Sequence, residues 1–255
     1  MARIAAVADV HFGLDSAGSL APYWRTLHES ADLFLLGGDL TRVGTVDEAR
    51  VLARELQVVR VPVIAVLGNH DYHSNQQDEV MRVLREAGVH VLDSGEDRVV
   101  VEADGSRIGV TGCKGFGGGF QGACGTEFGE PEMKAFIRHT QNVARHLEQQ
   151  LRLLKEEERV DLRIALLHYA PIDGTVEGEK RQIYPFLGSY LLGEAIDHAG
   201  ADIVFHGHAH KGQEKGVTPG GIPVRNVAQP VLRHAYNVYC IDPASDDRHP
   251  APGSC

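Results

Sequence analysis

Short apolar runs rich in valine, isoleucine and leucine recur along the chain, at 4–8, 33–36, 63–67, 89–92, 98–102, 108–111, 164–167, 203–205, 223–227 and 238–241. Each has the length of a strand, and most end at a polar cluster. Between several of them the apolar spacing changes to the helical period, which predicts helices over 21–30, 45–56, 78–87, 131–158 and 189–199. Strands alternating with helices predict an α/β domain with much parallel pairing. The stretches 98–111 and 222–241 read as hairpins and predict antiparallel additions. No internal repeat is visible.

Two segments break the alternation. Residues 112–129 contain eight glycines and predict a long mobile loop. Residues 131–158 start with a proline and keep a helical composition throughout. Together, 112–158 reads as an insertion in a single domain spanning 1–243, one that overhangs a site as a lid. The tail 244–255, with its Ser-Asp-Asp run and prolines, is expected to be disordered.

Composition adds limits rather than an identity. The 255 residues, 43% hydrophobic and 24% charged, are enough to bury a core without staples. Cys113, Cys124, Cys240 and Cys255 show no zinc-binding spacing and read as reduced thiols. The N-terminal apolar run is only a strand long, and no stretch approaches a membrane span, so a cytoplasmic protein is expected. The net charge of −10, from 35 acidic and 25 basic residues, disfavours nucleic-acid substrates without ruling out a local basic patch.

The chemistry gathers at the strand ends. Asp9 and His11 follow the first run, Gly38-Asp39 the second, and Gly68-Asn69-His70-Asp71 the third. His168 follows the run at 164–167, and Gly207-His208-Ala209-His210 the run at 203–205. Sites in open α/β sheets assemble outside the carboxyl ends of strands. Packing does not require Asp, Asn and His at five such ends. Carboxylate, amide oxygen and imidazole together suit Mn²⁺, Fe²⁺ or Zn²⁺. The i, i+2 spacing of Asp9 and His11, and of His208 and His210, lets each pair address one point from an extended segment. Seven candidate ligands exceed the needs of one four-coordinate ion, and with one bridging carboxylate they make two sites. Two ions roughly 3.5–4 Å apart are a common device for phosphoester cleavage. His70, beside Asn69, is the natural candidate for proton donation to the leaving oxygen.

In this ordered set the chain resembles the calcineurin-like metallophosphoesterase superfamily, whose pattern is D-x-H, G-D, G-N-H-[DE], a later H, and G-H-x-H. The match runs from Asp9 to His210 and looks most like the class III cyclic-nucleotide phosphodiesterase branch and its bacterial relatives. The resemblance implies a four-layer α/β/β/α sandwich of two mixed sheets. It places Asp9, His11 and His210 on one metal and Asn69, His168 and His208 on the other, with Asp39 bridging and His70 catalytic. One position departs from the pattern. Several branches continue G-D as G-D-x-x-D, the later Asp orienting the catalytic histidine, and here that position is Arg42. Another carboxylate or the backbone then orients His70, or it acts alone.

The expected function is hydrolysis of small phosphodiesters by hydroxide shared between two divalent ions. A phosphomonoesterase or nuclease is the alternative within the class. A non-catalytic scaffold on the same fold is the rival from another class, and no ligand or catalytic histidine is missing to favour it. His206 reads either as a support for the ligands or as a packed strand residue. Lys180, Arg181 and Tyr184 read as a solvated loop, and the charge-rich helix over 131–158 as a solvated face or a homodimer element.

Overall fold

The computed structural model of the protein describes residues 1–93, 98–103 and 105–242. The tail expected over 244–255 lies outside the described residues. The strands are β1 (Ala2–Val7), β2 (Leu33–Gly37), β3 (Val63–Val66), β4 (Val89–Leu92), β5 (Arg98–Ala103), β6 (Ser106–Cys113), β7 (Gly119–Phe120), β8 (Ala123–Cys124), β9 (Leu162–Leu167), β10 (Ile203–His206), β11 (Lys215–Val217), β12 (Pro223–Asn226) and β13 (Asn237–Ile241). The helices are α1 (Ala21–Trp24), α2 (Leu27–Ser30), α3 (Val46–Leu56), α4 (Gln77–Glu86), α5 (Pro131–Glu156), α6 (Tyr184–Leu187), α7 (Tyr190–Ala199) and α8 (Gln229–Leu232).

Two mixed sheets form the centre. One has the order β13-β1-β2-β3-β4 and the other β11-β12-β10-β9-β6-β5. Strands β1 to β4 run parallel, as do β6, β9, β10 and β12, while β13, β5 and β11 add antiparallel edges. The inner strands read as unbroken apolar runs because both of their faces are covered, one by the other sheet and one by helices. Ile4, Leu35, Ile64, Val110, Ile164 and Phe205 belong to one buried cluster that joins the two sheets. Helices α3 and α4 pack together, and α4 packs on β4. Helix α5 packs on β6 and β9 and α7 packs on α5, with Leu147, Leu151, Leu192 and Ile196 in a second buried cluster. The expected four-layer sandwich is thus observed.

Local chemistry fixes the helix starts. Thr45 and Glu48 close a capping box at α3, Pro131 opens α5, and the Ser189 hydroxyl accepts the Leu191 N–H at α7. Three expectations are corrected. The helix expected over 21–30 breaks in two at Arg25 and Thr26. The 222–241 hairpin does not form: β12 joins the second sheet beside β10, and β13 crosses to pair with β1 in the first. Of the cysteines expected to be reduced, Cys113 and Cys124 form no disulfide, but Cys240 is disulfide-bonded.

The glycine-rich stretch is not one open loop. It begins inside β6, carries the β7–β8 hairpin, and is tied to 185–189 through Gly118 N–H to the Pro185 carbonyl (2.7 Å) and Gly119 N–H to the Gly188 carbonyl (2.9 Å). No described helix is long and apolar enough to cross a membrane.

Candidate metal centre

The carboxyl ends of β1, β2 and β3 in one sheet and of β9 and β10 in the other open on the same point, and each carries its expected residues there. The chain turns sharply as it leaves these strands. Seven described non-glycine residues have positive φ, and four of them are candidate ligands: Asp9 (58°), His11 (43°), Asp39 (49°) and His208 (70°). Left-handed backbone costs such residues on the order of 1 kcal/mol each, and this kind of strain collects at functional sites. Here it turns the side chains of successive strand ends inward.

The ligand atoms of Asp9, His11, Asp39 and His210 lie within 4.8 Å of one another, and so do those of Asp39, His168 and His208. Both groups can hold a metal ion, and they share Asp39. The Asn69 Oδ1 lies 3.0 Å from His168 Nε2 and so stands in the second group. His70 joins neither, with its Nε2 3.9 Å from the Asp39 Oδ2. All eight residues singled out in the sequence therefore meet.

Backbone carbonyls decide which ring nitrogen faces inward. A carbonyl can only accept, so Nδ1–H of His168 donates to Gly37 O (2.9 Å) and Nε2–H of His208 to Phe186 O (3.1 Å). In the neutral ring the other nitrogen then carries a lone pair. Burial lowers the pKa of both, that of His208 to about 4, so both rings are neutral at pH 7. The Nε2 lone pair of His168 consequently faces two further acceptors, Asn69 Oδ1 at 3.0 Å and Asp39 Oδ1 at 3.3 Å. Three acceptors converging with no proton between them suit a cation.

The carboxylates fit the same picture. Burial and the neighbouring Asp9 charge push the Asp39 carboxyl up, the response of two buried anions held close. Burial also pushes Asp9 up, but the hydrogen bond from His210 Nε2 (2.9 Å), the charge of that ring and the His208 N–H outweigh it and hold the carboxyl below its usual value. The same bond raises His210. A donor set of oxygens and imidazoles, with no cysteine, fits Mn²⁺, Fe²⁺ or Zn²⁺.

The orientation of His70 has a backbone answer. Its Nδ1 lies 2.7 Å from the carbonyl oxygen of Arg42, the residue standing where a carboxylate was expected. The Arg42 side chain turns away to pair with Asp15 at 2.9 Å. Asp71 closes the Gly68-Asn69-His70-Asp71 block without being a candidate ligand. Fully buried, it accepts from Leu40 N–H (3.1 Å), Thr41 N–H (2.8 Å), Thr41 Oγ1 (2.5 Å) and Gly68 N–H (2.8 Å). It thereby locks the Asp39 turn to the Asn69–His70 turn, and the acidic residue after G-N-H was the available signal. His206 proves a packed strand residue, bonded to Thr175 Oγ1 and Gly207 O at 2.8 Å each. Arg181 and Tyr184, with Glu177 and Glu179, line a cavity of about 530 Å³ whose lining includes none of the eight residues.

The chain is similar to known proteins along most of its length. A family model described as calcineurin-like phosphoesterase matches residues 2–212. A Moraxella catarrhalis (strain BBH18) protein named "Probable cyclic nucleotide phosphodiesterase" is 34% identical over 85 residues. That match covers 33% of this chain and only 27% of the relative's length. Among solved structures, the phosphopantetheinyl hydrolase PptH of Mycobacterium tuberculosis has a TM-score of 0.67 at 14% identity, over 95% of this chain and 97% of its own. A protein of Thermus thermophilus has a TM-score of 0.61 at 17% identity, over 99% and 98%. At these identities the two structures speak for the fold alone.

Proposed function

The chain belongs to the calcineurin-like phosphoesterase family, and from that premise we propose that it is a two-metal phosphodiesterase acting on small phosphodiesters. The observation that carries the reading is the convergence of lone pairs at Asp39, with His168 and His208 each held in one tautomer by a backbone carbonyl. Asp9, His11 and His210 would hold one ion and Asn69, His168 and His208 the other, with Asp39 shared. Divalent ions bound there supply Lewis-acid charge to the phosphoryl oxygens and lower the pKa of water at the site.

The chain's own groups do the rest. The fixed strand ends keep the ligands from reorganising as charge develops. The Arg42 carbonyl holds Nδ1–H of His70 and so turns Nε2 toward the Asp39 side, where it can hold a proton for the departing alkoxide. The diester preference draws support from the complete G-N-H-D block and from the name of the Moraxella relative.

The test is a pair of matched substrates, bis(p-nitrophenyl) phosphate and p-nitrophenyl phosphate, turned over by Mn²⁺-loaded protein. The expected result is a kcat/KM for the diester higher by roughly tenfold or more, or about 1.4 kcal/mol in transition-state binding. Faster turnover of the monoester would reverse the preference and make the chain a phosphomonoesterase.

A further inference from the structure

A second cavity, of about 330 Å³, adjoins the centre without including any of its eight residues; Tyr72, Asp93, Lys114, His139 and Asn142 are among its walls. Tyr72 lies two residues beyond His70, and the Lys114 carbonyl accepts the backbone N–H of His168 (3.2 Å) and Tyr169 (2.9 Å). Two residues of the cavity wall are thus tied to segments that carry His70 and His168.

The setting of Lys114 is unusual for a lysine. Its ammonium lies 5.1 Å, 4.9 Å and 5.2 Å from the ring centroids of Tyr72, Phe116 and Tyr169. Its hydrogen bond to the Gly115 carbonyl is long, at 3.5 Å. No described carboxylate forms an ion pair with it, Asp93 included. The rings stabilise the ammonium through cation–π attraction yet leave its charge uncancelled. The cations singled out elsewhere are engaged or out in solvent: Arg42 pairs with Asp15, and Lys180 and Arg181 are exposed. In a chain of net charge −10, a half-buried cation that forms no ion pair among the described residues, and that Asp93 and Asp39 reach only at longer range, is a receptor for an anion. His139 and Asn142, one turn apart on α5, bring further polar groups to the same wall.

We propose that this cavity is an anion subsite in which Lys114, with His139 and Asn142, receives a second phosphate group of the substrate. Substrates of the proposed reaction would then be diesters bearing a further phosphate, most simply phosphorylated nucleotides. The substrate half of this inference rests on the phosphodiesterase reading; the anion subsite does not.

The test is calorimetric titration of the metal-loaded chain with thymidine 5′-monophosphate and with thymidine 3′,5′-bisphosphate, for the native protein, Lys114→Met and Lys114→Arg. Because a charged group strengthens a hydrogen bond to phosphate, the bisphosphate is expected to bind the native chain roughly tenfold tighter or better. Lys114→Met should bring the two affinities within about twofold, while Lys114→Arg, which keeps the charge, should retain most of the preference. A native chain that binds the bisphosphate no more tightly than the monophosphate overturns the proposal, without recourse to any variant. So does a preference that survives in Lys114→Met. Failure of the phosphodiesterase reading would appear separately, in turnover of simple aryl diesters, which this binding comparison does not use.

Discussion

Replacing His70 with alanine is expected to lower kcat on a cyclic nucleotide by about 10²–10⁴-fold while leaving the bound metal unchanged. The ring belongs to neither metal-holding group, and a carbonyl fixes its outer nitrogen. On the proposed reading its contribution is a positioned proton rather than a ligand bond. The loss should depend on the leaving group. A ribose alkoxide is a strong base and needs protonation as it departs, whereas p-nitrophenolate leaves well without it. The deficit should therefore shrink markedly with bis(p-nitrophenyl) phosphate. Metal analysis beside the two rate measurements separates the roles: an equal deficit for both substrates, with metal lost in parallel, would make His70 a ligand and remove the proton-donor assignment.

Gly68→Ala should cost more than about 100-fold in kcat/KM, the scale of a 1 Å misplacement at a reacting centre. A Cβ built at Gly68 would overlap both the Asp39 Oδ1 and the Asp39 backbone nitrogen. The side chain on which both metal groups depend would have to move. Circular dichroism should show a folded protein with reduced metal content. Gly174→Ala, where the nearest atom to the added carbon is 4.0 Å away, should behave as the native chain does. Native activity in Gly68→Ala would mean that the position of Asp39 is not critical.

Most of this architecture was legible because its signals are local. An apolar run with both faces buried looks the same in the chain as in the sheet, and ten such runs became strands. Strands of two or three residues, β7, β8 and β11, carry no periodicity to read. Pairing is not local either: β12 and β13 look like a hairpin, but the chain between them passes Ala228, which bridges to Ala8 at the end of β1 and carries β13 over to the other sheet. Alternation alone predicted an α/β domain, and the division into two sheets came from the family resemblance.

The site divides along the same line. The candidate site residues at strand ends were visible, since packing does not require Asp, Asn and His there. The groups that aim them were not. Gly37, Arg42 and Phe186 act through main-chain oxygens that every residue possesses. Arg42 is the clearest instance, because its side chain pointed away from a function that its carbonyl performs. Lys114 escaped notice for a related reason: a single lysine in a glycine-rich segment becomes unusual only when folding surrounds it with Tyr72, Phe116 and Tyr169.

The central claim is a pair of ions sharing Asp39, and anomalous diffraction from Mn²⁺-loaded crystals of the chain tests it most directly. The expected map has two peaks roughly 3.5–4 Å apart, with the Asp39 carboxylate between them. One peak should touch Asp9, His11 and His210, and the other Asn69, His168 and His208. A single peak, or two peaks with Asp39 bound to only one, would contradict the account.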